Sequence, residues 1–353
     1  MAHRREAGNT EGGPVTLEGV AKAAGVSRAT VSRVVNGGKR VHPETLRTVE
    51  RTIERLGYSP NRAARSLVTR RSDSIGLVIP EPTIRLFGDP FFPRLVRGIS
   101  EILSARDLQL VLLAPQSRAD EDRLRGYLTS GHVDGALLVS LHDDDPLPGY
   151  LVGADIPVVV GGRPPSGIAV SYVDMDNING ARAAVDHLVA IGRRHIATVA
   201  GPSDMAVAAD RLQGYREALA AARLDHDPDL EVYADFDQDL ARQRIGQLMS
   251  RHPEIDAVFA ASDLMALGVL QALRAAGRAV PEDVAVVGFD DSTIAVAAEP
   301  PLSSVRQPIE EMGREMTRIL LDSLASTGRV TRRLILATEL VVRASSGGDA
   351  ADD

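Results

Sequence analysis

The sequence predicts an α/β protein, with an N-terminal all-α helix-turn-helix head followed by a two-lobed sensor of doubly wound parallel sheet. Three observations predict it. A helix–glycine–helix pattern fills residues 17–36. From Ser74 onward, short apolar runs alternate with helical stretches, the βαβ rhythm of a parallel sheet. Charge divides in the same region: residues 1–72 hold 14 Lys+Arg against 6 Glu, while the remainder holds 26 basic against 42 acidic residues. A basic head on an acidic body points to a polyanionic partner for the head alone.

The head begins after a polar, Gly-rich tail at residues 1–14 and runs over 15–60. Helices are expected at Leu17–Ala24, Ser27–Asn36 and Thr45–Leu56. Ala21 supplies the small residue where two steeply crossing helices meet, and Gly25 supplies the positive φ of their tight connection. Val26, Val31 and Val34 give the second helix a buried face, and Ser27 can cap it. Arg28, Ala29, Thr30, Ser32 and Arg33 are left outside. An arginine there can bond a guanine edge bidentately, worth about 1–3 kcal/mol of base discrimination. Leu46, Val49, Ile53 and Leu56 fall at helical spacing in the third helix, with Pro43 suited to its first turn and Gly57 to its stop.

Residues 61–73 read as a hinge. Asn61-Arg62-Ala63-Ala64-Arg65-Ser66-Leu67 has a cap and good helix formers, yet seven residues cannot hold a helix alone in water. A flexible linker and a helix ordered by a partner remain alternatives.

In the sensor, buried strands are expected at Ile75–Ile79, Leu108–Leu113, Gly135–Val139, Pro157–Val160, Ile196–Ala200, Ala257–Ala260 and Val284–Phe289. Helices are expected at Phe92–Ala105, Gly180–Ile191, Arg211–Ala222, Leu240–Ser250 and Leu264–Ala276. The span 74–343 is long enough for two lobes, about 74–174 with 306–331 and about 175–305 with 332–343, and the acidic end 344–353 is expected to be disordered. In such sheets, ligands bind beyond the carboxyl ends of the strands. The residues that follow the strands are Pro80, Glu81, Gln116, Ser140, Gly162, Arg163, Gly201, Pro202, Ser262, Asp263, Asp290 and Asp291. That set suits a hydroxyl-rich ligand, with Phe91, Phe92 or Phe236 as stacking surfaces. A purine would ask for deeper aromatic stacking than 3% aromatic residues provide.

Several classes are disfavoured. The chain has no cysteine, so disulfides, thiolate metal sites and a Cys nucleophile are out. No apolar run approaches the roughly 20 residues of a membrane span, and the apolar stretch a signal needs does not follow Arg4-Arg5. G-x-S-x-G, H-E-x-x-H, P-loop and G-x-G-x-x-G motifs are missing. Neither catalytic residues, a cofactor nor a metal is expected, and the setting is read as cytoplasmic. A stand-alone solute binder or hydrolase is the rival class.

"TLEGVAKAAGVSRATVSRVVNG" and "LGYSPNRAARSL", with "DPFFPRLVRGI", "VDGALLVS", "DNINGARAAVDHL", "AVFAASDLMALGVL" and "VPEDVAVVGFDD" in order behind them, resemble the lactose-repressor (LacI/GalR) family of bacterial regulators. The resemblance runs from residue 15 to about 343. It implies a sensor similar to periplasmic sugar-binding proteins, a pseudo-palindromic DNA operator, a small-molecule effector, in most cases a sugar, and a homodimer. It places Arg28, Ala29 and Arg33 at base edges, and Thr16, Ser27, Thr30, Ser32, Asn36, Tyr58 and Asn61 at or beside phosphate-holding positions. Leu67 matches a leucine wedged into the minor groove. Arg211 and Asp290 match contacts to ligand hydroxyls, and Phe236 a platform under the ring. Three departures stand out: Gly162 where aspartate is frequent, Ser262 where asparagine occurs, and a long loop, "PEPTIRLFGDPFF". The lost acid and longer loop predict a roomier pocket and an oligosaccharide. His42, in place of a frequent serine, predicts a weaker cap on the third helix. Whether the effector weakens or strengthens DNA binding stays open at this point.

Overall fold

A computed structural model describes residues 15–35, 41–58, 71–326 and 330–348. The chain divides into two compact units, residues 1–72 and 73–353. Asn36, Asn61, Leu67 and most of the hinge lie outside the described residues.

The head has three helices, α1 (Leu17–Ala24), α2 (Arg28–Val35) and α3 (Pro43–Leu56). The Thr16 hydroxyl accepts from Gly19 N to cap α1, and Gly25 closes that helix at φ 67°. Ser27 Oγ accepts from Thr30 N at 3.1 Å, capping α2. His42 stands at the start of α3 with no side-chain cap bond, as its replacement of serine predicts. Val20, Ala21, Val31, Val49 and Tyr58 form the buried core. At roughly 25 cal/mol per Å², so few apolar side chains make a marginal core that depends on its caps.

The sensor unit contains two six-stranded sheets. The first lobe is built from β1 (Ser74–Val78), α4 (Thr83–Gly88), α5 (Phe91–Ser104), β2 (Gln109–Leu113), α6 (Arg118–Thr129), β3 (Gly135–Val139), α7 (Leu147–Gly153), β4 (Val158–Gly161) and β5 (Ser171–Met175). The chain then enters the second lobe: α8 (Asn177–Ala190), β6 (Ile196–Ala200), α9 (Ala206–Ala221), β7 (Glu231–Tyr233), α10 (Gln238–Arg251), β8 (Ala257–Ala260), α11 (Asp263–Ala275), β9 (Ala285–Asp290), α12 (Thr293–Ala297) and β10 (Ser303–Arg306). It returns through α13 (Ile309–Ala325) and β11 (Arg333–Leu336), then crosses again to β12 (Glu339–Val341).

Strand order is β11-β5-β4-β3-β1-β2 in one sheet and β12-β10-β9-β8-β6-β7 in the other. All pairings are parallel except β10 with β12. Parallel strands covered by helices on both faces must be apolar on both faces, and β3 and β6 are buried along their whole length. Glycine lets the covering helices approach: a Cβ at Gly98 of α5 would stand 2.0 Å from the Glu310 carbonyl of α13.

Two expectations about the chain's end are corrected. Residues 332–343 do not all belong to the second lobe, because β11 pairs with β5 of the first, Leu334 opposite Val173. Nor is the whole stretch from Ala344 a loose tail. Ser345 and Ser346 are fully buried, with Ser345 Oγ donating to the Val286 carbonyl at 2.7 Å and Ser346 Oγ 2.8 Å from His187 Nε2. Polar residues hide their burial when their partners lie far away in sequence, as these do.

Candidate functional site

On the head, Arg28, Ala29 and Arg33 are exposed along α2, while Val31 is buried beneath them. One face of α2 is thus anchored and its opposite face offered. Arg28 Nε is 2.9 Å from Glu18 Oε1 of α1, which leaves the two terminal nitrogens of the guanidinium for another partner. Thr30 and Ser27 share a hydroxyl hydrogen bond of 2.9 Å. Thr16 and Ser27 are caps, and Tyr58 lies in the core with 9% of its surface exposed. Its ring supports the three helices, so its phosphate-side expectation reduces to the hydroxyl at most.

In the sensor, the strand ends at both topological switch points face one cleft. Ser140 after β3 and Ser262 after β8 line it, while Glu81 after β1 is held by Arg85 and Gly201 after β6 backs the ring of Phe236. The cleft holds about 80 Å³ of enclosed space in this conformation. Phe91, Phe92, Gly162, Arg163, Arg211, Phe236, Ser262 and Asp290 all line it. Asp263 does not. Its carboxylate is held behind the wall, accepting from Ser292 N at 2.7 Å and from Ser304 Oγ at 2.5 Å. Asp291 is likewise structural, paired with Arg306 at 2.6 Å and Arg343 at 2.7 Å. Pro80, Glu81, Gln116, Gly201 and Pro202 are not part of the lining, and Gln116 instead ties the start of α4, donating to the Glu81 carbonyl at 2.7 Å.

The floor centres on Arg211. Its Nε donates to Asn177 Oδ1 at 2.9 Å and its Nη1 to the Ala261 carbonyl at 2.6 Å, and Nη1 stands 3.7 Å from Asp290 Oδ1. The guanidinium sits over Phe289, 3.9 Å from the ring centroid. Arg211 and Asp290 are 5% and 8% exposed. Removal from water pushes Asp290 well above the usual carboxylate range, against the pull of Arg211. Gln307 Nε2, in the crossover between lobes, donates to Asp290 Oδ1 at 2.5 Å. Burial also pushes Asp174 up to about 6, with Asp210 nearby adding to the effect, and raises Asp89. Wall carboxylates shifted by desolvation inside one cleft are a mark of functional sites.

Backbone conformation agrees. Ser140, Phe236 and Asp290 have φ of 60°, 57° and 112°, which side chains other than glycine seldom adopt. Gly162, at φ 94°, occupies a similar position. Local geometry thus explains glycine there, where a residue with a Cβ would be strained.

Sequence reasoning missed Arg85, Asp89, Asp174, Asn177 and Gln307. The long loop was expected to widen the pocket. It contains α4, and Arg85 and Asp89 enter the wall. Asp174 lies near the end of β5, a strand too polar to be read as one, and Asn177 opens α8 just after it; Asn177 Nδ2 donates to Asp174 Oδ1 at 3.1 Å.

The lobes meet around the cleft. Arg163 pairs with Asp210 at 2.5 Å, and His142 Nδ1 is 2.8 Å from Asp204 Oδ2. Arg94 of α5 bonds Glu310 Oε1 and Oε2, both at 2.9 Å, and donates to the Asp290 carbonyl at 3.1 Å.

Comparison with known proteins decides the family. Residues 16–61 match the bacterial regulatory proteins of the lacI family, and residues 185–346 match the periplasmic binding protein-like domain. The HTH-type transcriptional regulator CelR of Thermobifida fusca is 54% identical over 94% of this chain and 98% of its own. This chain belongs to the lacI family. The family is one of DNA-binding transcription regulators rather than enzymes. Among solved structures, the complex of the transcriptional regulator CelR with cellobiose is 52% identical, with a TM-score of 0.75 over 94% of this chain and 99% of that one. The lac repressor dimer bound to operator and the anti-inducer ONPF is 27% identical, with a TM-score of 0.83 over 95% and 99%. This lacI-family regulator therefore pairs a DNA-binding head with a two-lobed sensor, as read from its sequence. Among the described residues, no helix is long and apolar enough to cross a membrane, and no cluster of metal-binding side chains occurs.

Proposed function

We propose that this regulator is a cytoplasmic repressor. It binds a pseudo-palindromic operator as a homodimer through α2, with Arg28, Ala29 and Arg33 at base edges, and releases it when a carbohydrate of disaccharide size enters the sensor cleft. Cellobiose is the first candidate, because the 52% identical relative is described in complex with it. The observation that carries the reading is the floor of the cleft. Arg211, Asn177 and Asp290 offer donors and acceptors in a cleft also lined by Phe91 and Phe236, the combination of polar groups and apolar surface that a pyranose requires.

A head of this size reads about half a site, so specific affinity asks for two. Hinge residues 61–73, with Leu67 as a minor-groove wedge, connect head to sensor in this reading. Closure around ligand shifts the lobes, and with them the hinges.

The test is a titration of the full chain with cellobiose, glucose and adenine by calorimetry. Binding of cellobiose with micromolar affinity supports the proposal. Binding of the nucleobase alone favours a purine sensor instead.

A further inference from the structure

The first two helices of the head are one-sided in charge. Residues 16–36 hold Lys22, Arg28 and Arg33 against a single acid, Glu18. Phosphates repel a carboxylate on a DNA-binding surface, so an acid there lowers affinity for every duplex alike. Glu18 nonetheless stands with Oε1 2.9 Å from Nε of Arg28, and the two side chains are 62% and 73% exposed. An ion pair that exposed adds little to stability. Its consequence is orientation.

Both partners sit on fixed backbone. Glu18 lies in the first turn of α1, beside the Thr16 cap, where the positive end of the helix favours a carboxylate. Arg28 is the first residue of α2, where the same polarity disfavours a cation. Ser27 Oγ, accepting from Thr30 N at 3.1 Å, holds that end of the chain. So α2 begins with a cation that its own helix repels, and α1 supplies the counter-charge. The N-terminal end of a recognition helix is also the end that meets base edges. A guanidinium engaged at Nε presents Nη1 and Nη2 side by side, the fork that fits guanine O6 and N7.

We infer that Glu18 is a positioning residue for base readout. It holds Arg28 with the two terminal nitrogens toward the groove, which raises preference at one base pair of each half-site and lowers affinity for duplex in general. This rests on the reading that Arg28 meets a base edge. Without the carboxylate, Arg28 is free to swing to the nearest phosphate, a contact that adds affinity and carries no sequence information.

The test uses the full chain and the duplex it selects from a random pool. Affinities for that duplex, its single-base variants and random duplex are measured at one fixed salt concentration. The proteins are the wild type, Glu18→Gln, Glu18→Ala, Arg28→Ala and the double variant Glu18→Gln/Arg28→Ala; Glu18→Ala decides if Glu18→Gln binds no DNA at all. Arg28→Ala is expected to lose preference at one position per half-site. The Glu18 variants should lose preference at that same position, by about 5-fold or more, while binding random duplex about 2-fold or more tightly. In the Arg28→Ala background, Glu18→Gln should change no base preference by more than about 2-fold. Unchanged base preference in both Glu18 variants, an equal loss on every duplex, or the same shift with and without Arg28 would overturn the inference. The equal loss would make Glu18 a stabiliser of the helix end and nothing more. If Arg28→Ala itself altered no base preference, the base-edge reading would fail first and take the role of Glu18 with it.

Discussion

Arg211 and Asp290 stand 3.7 Å apart on the floor of the cleft, both almost wholly buried, over the ring of Phe289. Burying two charges is offset only when each finds further partners. Arg211 has two, while Asp290 has Gln307 and keeps capacity for a ligand hydroxyl. Asp290→Ala should therefore abolish the effector response while leaving ligand-free operator affinity within about 2-fold of wild type. Mobility shifts with and without cellobiose check this; a surviving response would mean the ligand binds elsewhere.

Asp174 supplies a pH-dependent term. Its folded pKa of about 6 lies above the ordinary aspartate value. The folded state thus holds a proton more tightly than the unfolded chain, and stability falls as pH rises from about 4 to 6. Asp174→Asn keeps the oxygen that accepts from Met175 N and Asn177 and removes the charge. The variant should be more stable than wild type at pH 7, by about 1–3 kcal/mol, and equal to it near pH 4. Thermal melting across that range provides the comparison.

On the head, Arg33→Ala should relax base preference at one position of each half-site, costing about 1–3 kcal/mol against the preferred base. A change in a phosphate-holding residue should instead weaken binding to all duplexes alike and flatten the salt dependence. Binding to a library of single-base operator variants separates the two.

Arg94 joins α5 and Glu310 of the first lobe to the backbone of Asp290. Any shift of Asp290 on ligand binding is therefore felt by α5 and α13. Arg94→Met should leave cellobiose affinity within a few-fold of wild type but shrink the ligand-induced change in operator affinity toward unity. Measuring both constants on one preparation distinguishes uncoupling from loss of binding.

Much of this was legible in the residues. Apolar strands such as Gly135–Val139 and Ile196–Ala200 announce themselves, because covering both faces leaves no polar position. The strands that escaped, Ser171–Met175, Glu231–Tyr233, Ser303–Arg306, Arg333–Leu336 and Glu339–Val341, are short and partly polar; Ser303 and Ser304 become acceptable in a core through Arg343, Ser346 and Asp263. The same reason hid the burial of Ser345 and Ser346. For the cleft, placing ligand groups after strand ends found Arg163, Ser262 and Asp290. It overreached at Asp263, whose side chain turns back toward Ser292 and Ser304. It missed Arg85 because that residue lies on α4, beyond the strand end rather than directly after it.

The most direct test is selection of duplexes from a random pool by the full chain, followed by affinity measurement on the winner at one fixed salt concentration with and without cellobiose. The account predicts a two-fold symmetric winner, bound at least about 10³-fold more tightly than random duplex, whose affinity drops about 5–150-fold when cellobiose is added. A pool that never converges, or a tight symmetric site indifferent to every sugar tried, would contradict it.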